Sequence, residues 1–334
     1  MLQETPDGLF CPAGAFHIDP WQPVERALIT HAHGDHARPG SAAYLCAAPG
    51  LGVLRRRLGS DAAIETVAYG EQRTIGDVRV SFHPAGHVLG SAQIRVESRE
   101  GVWVIAGDYK RAPDPTCAPL EPVRCDTFIT ESTFGLPIYR WDPARDVLDG
   151  IMRWWQGNGD AGRTSVLFCY TLGKAQRILA ELSTLTDRTV FIHGMMAGMI
   201  ETYRDAGVRM LPVAPVIDQA RRGRSSQSFA GELVLAPRSA RGTRWMRRLG
   251  DVSDGFASGL MRVRGVRRQR AFDRGFVLSD HADWPALLQT IADTGASRVL
   301  ATHGYAEPLA RHLATLGFES GIIRTAWEGE PSGD

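Results

Sequence analysis

The segment His31-Ala32-His33-Gly34-Asp35-His36 places four side chains able to bind a metal within six residues. It follows the apolar run RALIT, which reads as a strand. On extended backbone, residues two apart point the same way, so His31 and His33 face one common point. A turn at Gly34 lets Asp35 and His36 address a second point nearby. Imidazole and carboxylate are the ligands that borderline divalent ions prefer. Four more candidates close apolar runs elsewhere: His87 in PAGHVLGS, Asp108 in AGDYK, His281 in SDHADW and His303 in THG. Taken singly, each reads as an ordinary hydrogen-bonded polar residue. Together with the hexapeptide they meet the demands of a two-metal centre. Ions about 3.5–4 Å apart need three terminal ligands each, a bridging carboxylate and room for a bridging hydroxide. Six histidines and two aspartates supply seven ligands with one histidine to spare.

The elements that must position these groups fall into two textures. Early in the chain, RALITHAH, VRVSFHPAGH, GVWVIAGDY and CDTFITES are short apolar runs ending in polar turns, the pattern of buried strands. From about residue 142, strands alternate with helices. DPARDVLDGIMRWWQ is amphipathic, with Asp142 expected as N-cap and Pro143 at the first helical position. SVLFCY, TVFIHG and GELVLAPRS read as strands; GKAQRILAELSTL and MMAGMIETYRDAG read as helices. Such alternation implies a parallel sheet covered by helices. Past residue 275 the first texture returns, with a helix from about residue 285 and another closing the chain. The expected organisation is therefore a first domain over 1–135, an insertion over 136–275, and a closing part of the first domain over 276–334.

Composition bounds the reading. The chain has 334 residues, 43% hydrophobic and 22% charged, which permits a substantial core. No segment has the ~18 uninterrupted apolar residues of a membrane helix. The N-terminal residues show neither the basic nor the apolar region of a secretory signal. Five scattered cysteines without a CxxC pair argue against a disulfide framework or thiolate zinc site and for a reducing, cytoplasmic setting. The net charge of +1 hides an asymmetry: residues 136–275 hold 23 Lys and Arg against 13 Asp and Glu. The remainder holds 15 against 24. A basic insertion beside an acidic remainder suggests a polyanionic partner. Because 36 of the 38 basic residues are Arg, coding bias accounts for Arg over Lys, but not for the clustering.

HAHGDH, followed by GH, GDY and a late THG, resembles the metallo-β-lactamase fold. ITESTFG resembles an acidic motif of its β-CASP nuclease branch, which points to Glu131. SDHADW and THG resemble the second and third motifs of that branch, pointing to His281 and His303. The wording GDYKRAPDPTCAPLEPVRCDTFITESTFG is most similar to bacterial ligase-associated DNA exonucleases. The resemblance implies an α/β fold, a metallo-β-lactamase αββα sandwich with an inserted α/β/α β-CASP cap. It implies one metal on His31, His33 and His87, a second on Asp35, His36 and His303, and Asp108 bridging them. Asp19, in HIDPWQP, matches a residue that orients the ligating loop. His281 matches the proton donor to the leaving oxygen, and Glu131 the carboxylate that holds it. Catalysis would then rest on Asp35, Asp108, Glu131 and His281, with two divalent ions, zinc first and manganese as the alternative. A hydroxide held between the ions would attack phosphorus.

Substrate contacts are expected in the insertion. Tyr170-Thr171-Leu172-Gly173-Lys174 joins a strand to a helix, where backbone N–H groups and the Lys174 ammonium suit a phosphate, though an ordinary turn reads equally well. APRSARGTRW offers Arg238, Ser239 and Arg241 as phosphate contacts and Trp245 for stacking a base. Trp154 and Trp155 sit at helical spacing with Ile151 and read as core. Residues 262–274 alternate Arg with apolar residues and read as a strand whose basic face borders the cleft or lies in solvent. His83 is expected outside the metal shell; His17, His193 and His312 are weaker candidates for substrate contact.

The leading reading is a dinuclear-metal nuclease cutting single-stranded nucleic acid, a DNA exonuclease of DNA repair, with no membrane association. The closest resemblance implies a DNA ligase and a helicase as functional partners. RNA is the alternative substrate, because His303 stands where DNA-specific relatives typically carry valine. A small-molecule metallohydrolase shares HxHxDH but has no use for a basic cap. An iron–oxygen redox relative would carry Glu in place of His33. A non-catalytic scaffold would have lost ligands, and none is lost here.

Overall fold

The computed structural model describes residues 1–216, 229–265 and 271–324. The chain divides into two compact units, one formed by Met1–Pro137 with a closing segment that starts at His281, the other by Ile138–Asp280.

The first unit contains two sheets. One runs in sequence order: Gln3–Thr5 (β1), Gly8–Cys11 (β2), Phe16–Ile18 (β3), Arg26–Leu28 (β4), Ala43–Ala47 (β5) and Ile64–Val67 (β6). The other joins Gln72–Ile75 (β7), Val78–Pro84 (β8), Ala92–Ser98 (β9), Gly101–Ile105 (β10) and Thr127–Glu131 (β11) to two strands from the far end of the chain. These are Arg298–Thr302 (β18) and Glu319–Ile322 (β19), giving the order β19-β18-β11-β10-β9-β8-β7. In strands buried on both faces, successive residues must serve different cores. Thus Ile105 and Ile129 join Phe16, Leu28, Val80, Phe82 and Ile94 between the sheets. Their neighbours Val104 and Phe128 pack outward, with Trp284, Leu287, Ile291, Leu309 and Leu313. Those partners lie on two helices, Trp284–Thr294 and Ala306–Thr315. The first of these starts where expected, because the Asp283 carboxylate accepts from the Ala286 N–H at 3.0 Å and a proline follows.

The second unit is built on one sheet whose pairings are all parallel. Its strands are Thr164–Phe168 (β12), Val190–Ile192 (β13), Val213–Pro215 (β14), Leu233–Ala236 (β15), Val252–Ala257 (β16) and Arg274–Phe276 (β17). They lie in the order β14-β13-β15-β12-β16-β17. Leu233 and Leu235 bury against residues of Ala144–Asp160 (α2, after Leu51–Leu58, α1, of the first unit), Lys174–Leu182 (α3) and Gly194–Asp205 (α4). Val234 and Ala236 bury on the opposite face, with Phe168, Phe191, Trp245 and Phe256. The two helices of the closing segment are accordingly α5 and α6.

Several expectations are corrected. Asp142 does not cap α2: Pro143 occupies the cap, and Asp142 pairs instead with Arg262 at 3.0 Å. The 275/276 division would cut through β17, which pairs with β16 and keeps Phe276 in the second unit's core. Residues 262–265 are not strand, since Arg262 closes a 3-10 turn; of the rest of that stretch, 266–270 lie outside the described residues and β17 starts only at Arg274. Trp154 and Trp155 are core, as read, each with its indole N–H bonded, to Ser253 and to the Gly231 carbonyl. All five cysteines are free. No helix among the described residues is long and apolar enough to cross a membrane.

Candidate metal centre

The candidate ligands sit where parallel and antiparallel strands of the first unit end. β4 leads into Thr30–His36, β8 into His87, β10 into Asp108, β11 ends in Glu131, and β18 leads into His303. Because β18, β11 and β10 run parallel, with Glu131 opposite Thr302, their ends deliver these residues to one edge. The approach is close. Gly107 has φ 58°, and a Cβ there would fall 2.7 Å from Thr30. Only glycine permits both the left-handed turn and that contact.

Three imidazole nitrogens converge. His31 Nε2 and His87 Nε2 each lie 3.0 Å from His33 Nδ1. Nitrogens held about 2.1 Å from a common ion lie roughly 3.0–3.4 Å apart, so this spacing suits a cation. Asp108 Oδ2 completes the group, 3.4 Å from His31 and 3.7 Å from His87. The other oxygen, Oδ1, lies 3.6 Å from His36 Nε2. His36, Asp35 and His303 form the second group able to hold a cation. One carboxylate therefore faces both groups, an oxygen to each. Within the second group, His36 Nε2 and Asp35 Oδ1 are buried without a hydrogen-bond partner. Orphaned polar atoms of this kind mark an absent ligand, and the O/N donor set fits divalent metal ions.

The surroundings set the tautomers. Asp19, at φ 45°, accepts from the Thr30 N–H at 2.8 Å and from its hydroxyl at 2.5 Å. The Thr30 hydroxyl is thereby left to accept from His31 Nδ1 at 3.1 Å, which frees His31 Nε2 as a bare donor atom. Asp19 also takes the His36 Nδ1 proton at 2.8 Å, aiming Nε2 inward. Burial holds the His31 imidazole down to about 4, reinforced by the charge of His36, and lowers His87 and His303 as well. These rings are neutral and ready to ligate. His36 goes the other way: burial disfavours its charge, but Asp108, Asp35 and Asp19 override it and raise it to about 10.

That contrast carries a prediction. Stability from the raised His36 is fully present below the ordinary value of 6.5 and lost as pH rises through about 10. Near pH 7.5 the metal-free ring is charged, so binding an ion in the second group should release about one proton. Calorimetric titrations in two buffers of different ionisation heat should show it; no proton release would remove His36 from the ligand set.

Beside these two groups, Glu131 and His281 form a third set of donors with Asp108, His281 Nδ1 lying 4.0 Å from Asp108 Oδ2. Glu131 Oε2 is 2.9 Å from His281 Nδ1, and Glu131 Oε1 accepts the Tyr109 N–H at 2.8 Å. Burial, then the Asp108 charge, push the Glu131 carboxyl up, against the pull of His281. The Ala282 N–H donates to the Tyr109 carbonyl at 2.7 Å, which fixes the segment carrying His281.

Residues outside the sequence reading hold this frame. Thr30, Tyr109 and Ser132 are each next to a motif residue, which was the available signal. His303 has φ 58°, costly for a residue with a side chain. The Ser132 hydroxyl donates to the Thr302 carbonyl at 2.9 Å and also to that of His303, and the Tyr305 N–H returns to the Ser132 carbonyl at 2.8 Å. Ser132→Ala is expected to weaken the second ion about 10–100-fold while sparing the first. Metal stoichiometry against a competing chelator reads this directly; unchanged affinity for both ions would leave Ser132 no such part.

No protein-family model matches the chain. It is 29% identical over 318 residues to a "probable DNA ligase" of Opitutus terrae, covering 95% of this chain and 30% of that protein. It is 32% identical over 119 residues to endoribonuclease ysh-1 of Neurospora crassa, 35% of this chain and 14% of that one. A crystal structure of an Enterococcus faecalis protein of unknown function superposes with a TM-score of 0.59 at 13% identity, covering 91% of this chain and 80% of that one. These likenesses agree with the resemblance of its motifs to the β-CASP branch of the metallo-β-lactamase fold. It spans about a third of the first relative and less of the second.

The second unit treats the expected substrate contacts unevenly. Lys174 is corrected: it is buried, its ammonium 2.9 Å from Asp280. The start of α3 is closed by Gln176, which accepts the Gly173 N–H at 2.7 Å and donates to the Thr171 carbonyl at 2.9 Å. Arg241 is held by Asp254 at 2.7 Å and lies over the Phe272 ring. Trp245 is core rather than a stacking surface. Arg238 and Ser239 are exposed. His83 bonds Ser81 at 3.0 Å, outside the metal groups. His17 faces Phe10, His193 caps α4 beside Trp245, and His312 packs on Trp284.

Proposed function

We propose that the chain is a metal-dependent phosphodiesterase that cleaves single-stranded nucleic acid, acting as a DNA exonuclease in repair. The observation that carries this reading is Asp108, one oxygen toward His31 and His87 and the other toward His36, beside the Glu131–His281 pair. His31, His33 and His87 would hold one divalent ion, and Asp35, His36 and His303 the other, with Asp108 shared. Zinc is the first choice for so many imidazoles, manganese the alternative. Ions bound there would acidify a water and offset charge on the phosphodiester. The chain's own residues supply the rest. Asp19 keeps two imidazoles in the ligating tautomer. Glu131 holds the Nδ1 proton of His281, so Nε2 can pass a proton to the departing alkoxide, a poor leaving group. Phe134 and the His87 ring pack against His281 and limit its rotation.

DNA is favoured because the relative matching 95% of the chain is named a DNA ligase, and a nuclease joined to or working beside a ligase trims ends before sealing. A helicase would supply the single strand. RNA is the second reading, supported by His303 and by the endoribonuclease match. A time course on end-labelled single-stranded DNA and RNA of one sequence, with zinc and then manganese, separates them. Stepwise mononucleotide release from DNA is the expected result. Preferential cutting of RNA would transfer the protein to RNA processing, and cleavage of neither would point to a smaller substrate.

A further inference from the structure

The segment between β15 and β16 contains Arg238, Arg241, Arg244, Arg247 and Arg248, and no acidic residue from Pro237 to Gly250. Its backbone is anchored from below. Ala240, Trp245 and Leu249 bury in the core of the second unit, with Met246 packed against it. Arg241 is the polar anchor, held by Asp254 and by the Ala271 carbonyl at 2.6 Å. The remaining four arginines are exposed, and none has an ion-pair, hydrogen-bond or ring partner among the described residues. The nearest carboxylates in sequence are already engaged: Glu232 by Arg188 at 3.3 Å, Asp251 by Arg163 at 3.4 Å, and Asp254 by Arg241. Among the described residues, none of these carboxylates is left to neutralise the loop.

A charged face on a mobile loop is usually solvated, but this loop is fixed by three buried apolar side chains and an ion pair. Arg244–Leu249 forms a 3-10 turn, in which residues three apart lie above one another, about 6 Å along the axis. Arg244 and Arg247 therefore share an edge, with Arg248 adjacent. Guanidinium groups at that repeat suit successive phosphates of an extended strand, and contacts to phosphate carry no sequence information.

We propose that Arg238, Arg244, Arg247 and Arg248 form a platform that binds the phosphodiester backbone of a single strand without sequence preference, separate from hydrolysis. The proposal rests on the nuclease reading for its substrate class. Each contact to a single strand should contribute about 0.7 to the slope of log affinity against log salt. Replacing all four arginines by Gln in the full chain should lower that slope by about 2–3, and raise the Kd for a mixed-sequence 20-mer about tenfold or more at 0.15 M salt. Binding is measured on chelator-treated protein, so no strand is cut. The far-UV circular dichroism and thermal midpoint of the variant should match wild type, which shows that it is folded. Arg145→Gln, whose guanidinium is paired with Asp149 at 3.1 Å, is the exposed control and should leave the slope unchanged.

An unchanged slope and Kd in the fourfold variant would overturn the platform, even if wild type cuts DNA. Equal loss in Arg145→Gln would overturn it too, as general charge alone. Tighter binding of polyglutamate than of the oligonucleotide would replace the strand by an acidic protein. Salt-dependent binding lost in the variant, together with no cleavage of any nucleic acid by wild type, would keep the platform and refute the nuclease reading.

Discussion

Asp108→Asn is expected to reduce hydrolysis of every substrate below about a thousandth of wild type and to prevent loading of two ions. Among the described residues the carboxylate is the one group placed to serve both ligand sets, with Oδ2 toward His31 and His87 and Oδ1 toward His36. An amide keeps the shape, but one of its two ends becomes a donor that repels a cation. The metal-free protein changes as well. Asp108 is held well below the usual carboxylate range: its burial opposes ionisation, but the charges of His36 and His281 overcome it. Its stabilising effect is present above the ordinary value of 3.8 and is lost only in strong acid. Removing that charge should let His36 shed its proton nearer neutrality, so proton release on metal binding shrinks. Elemental analysis and turnover together decide the matter; two tightly bound ions with full activity in Asp108→Asn would end the bridging assignment.

His281→Ala should behave differently. Both ions should remain, since His281 is paired with Glu131 rather than with the converging imidazoles. Cleavage of nucleic acid should slow by about 10²–10⁴-fold, the usual worth of a positioned acid. Turnover of bis(p-nitrophenyl) phosphate should be nearly spared, because nitrophenolate leaves without a proton. Glu131→Gln should slow cleavage in the same direction by a smaller factor, since it keeps a hydrogen bond but not the charge. Loss of metal in His281→Ala would place that histidine among the ligands. Equal slowing of both substrates would deny it the role of acid.

The ligand cluster was legible because polar residues at the ends of apolar strands have few structural uses, and HAHGDH repeats the device within six residues. The alternation of strands and helices in 142–257 was legible for a similar reason: VLF and LVLA, apolar at every position, suit a sheet covered on both faces. What failed was partner choice. Lys174 looks like a phosphate ligand until Asp280, distant in sequence, takes its ammonium. Asp142 looks like a cap until Arg262 claims it. Trp245 and Arg241 both face inward, and neither local pattern nor composition says which way a loop side chain turns. β19, ESGI, went unread because it is a half-exposed edge strand without apolar alternation.

The late synthesis of β18 has a consequence for how the molecule comes into being. This strand lies between β11 and β19, yet it is made of residues 298–302, and it leads into His303. While a ribosome is still translating the preceding residues, the seven-stranded sheet lacks two strands at one edge and the second donor group has two of its three residues. The inserted unit, contiguous in sequence, can collapse before then; the surrounding one must wait for residues 298–322. Nascent protein is thus denied a complete donor cluster until residue 303 has been made. A frameshift or stop before residue 298 would yield a polypeptide without the third motif and with the second donor group incomplete.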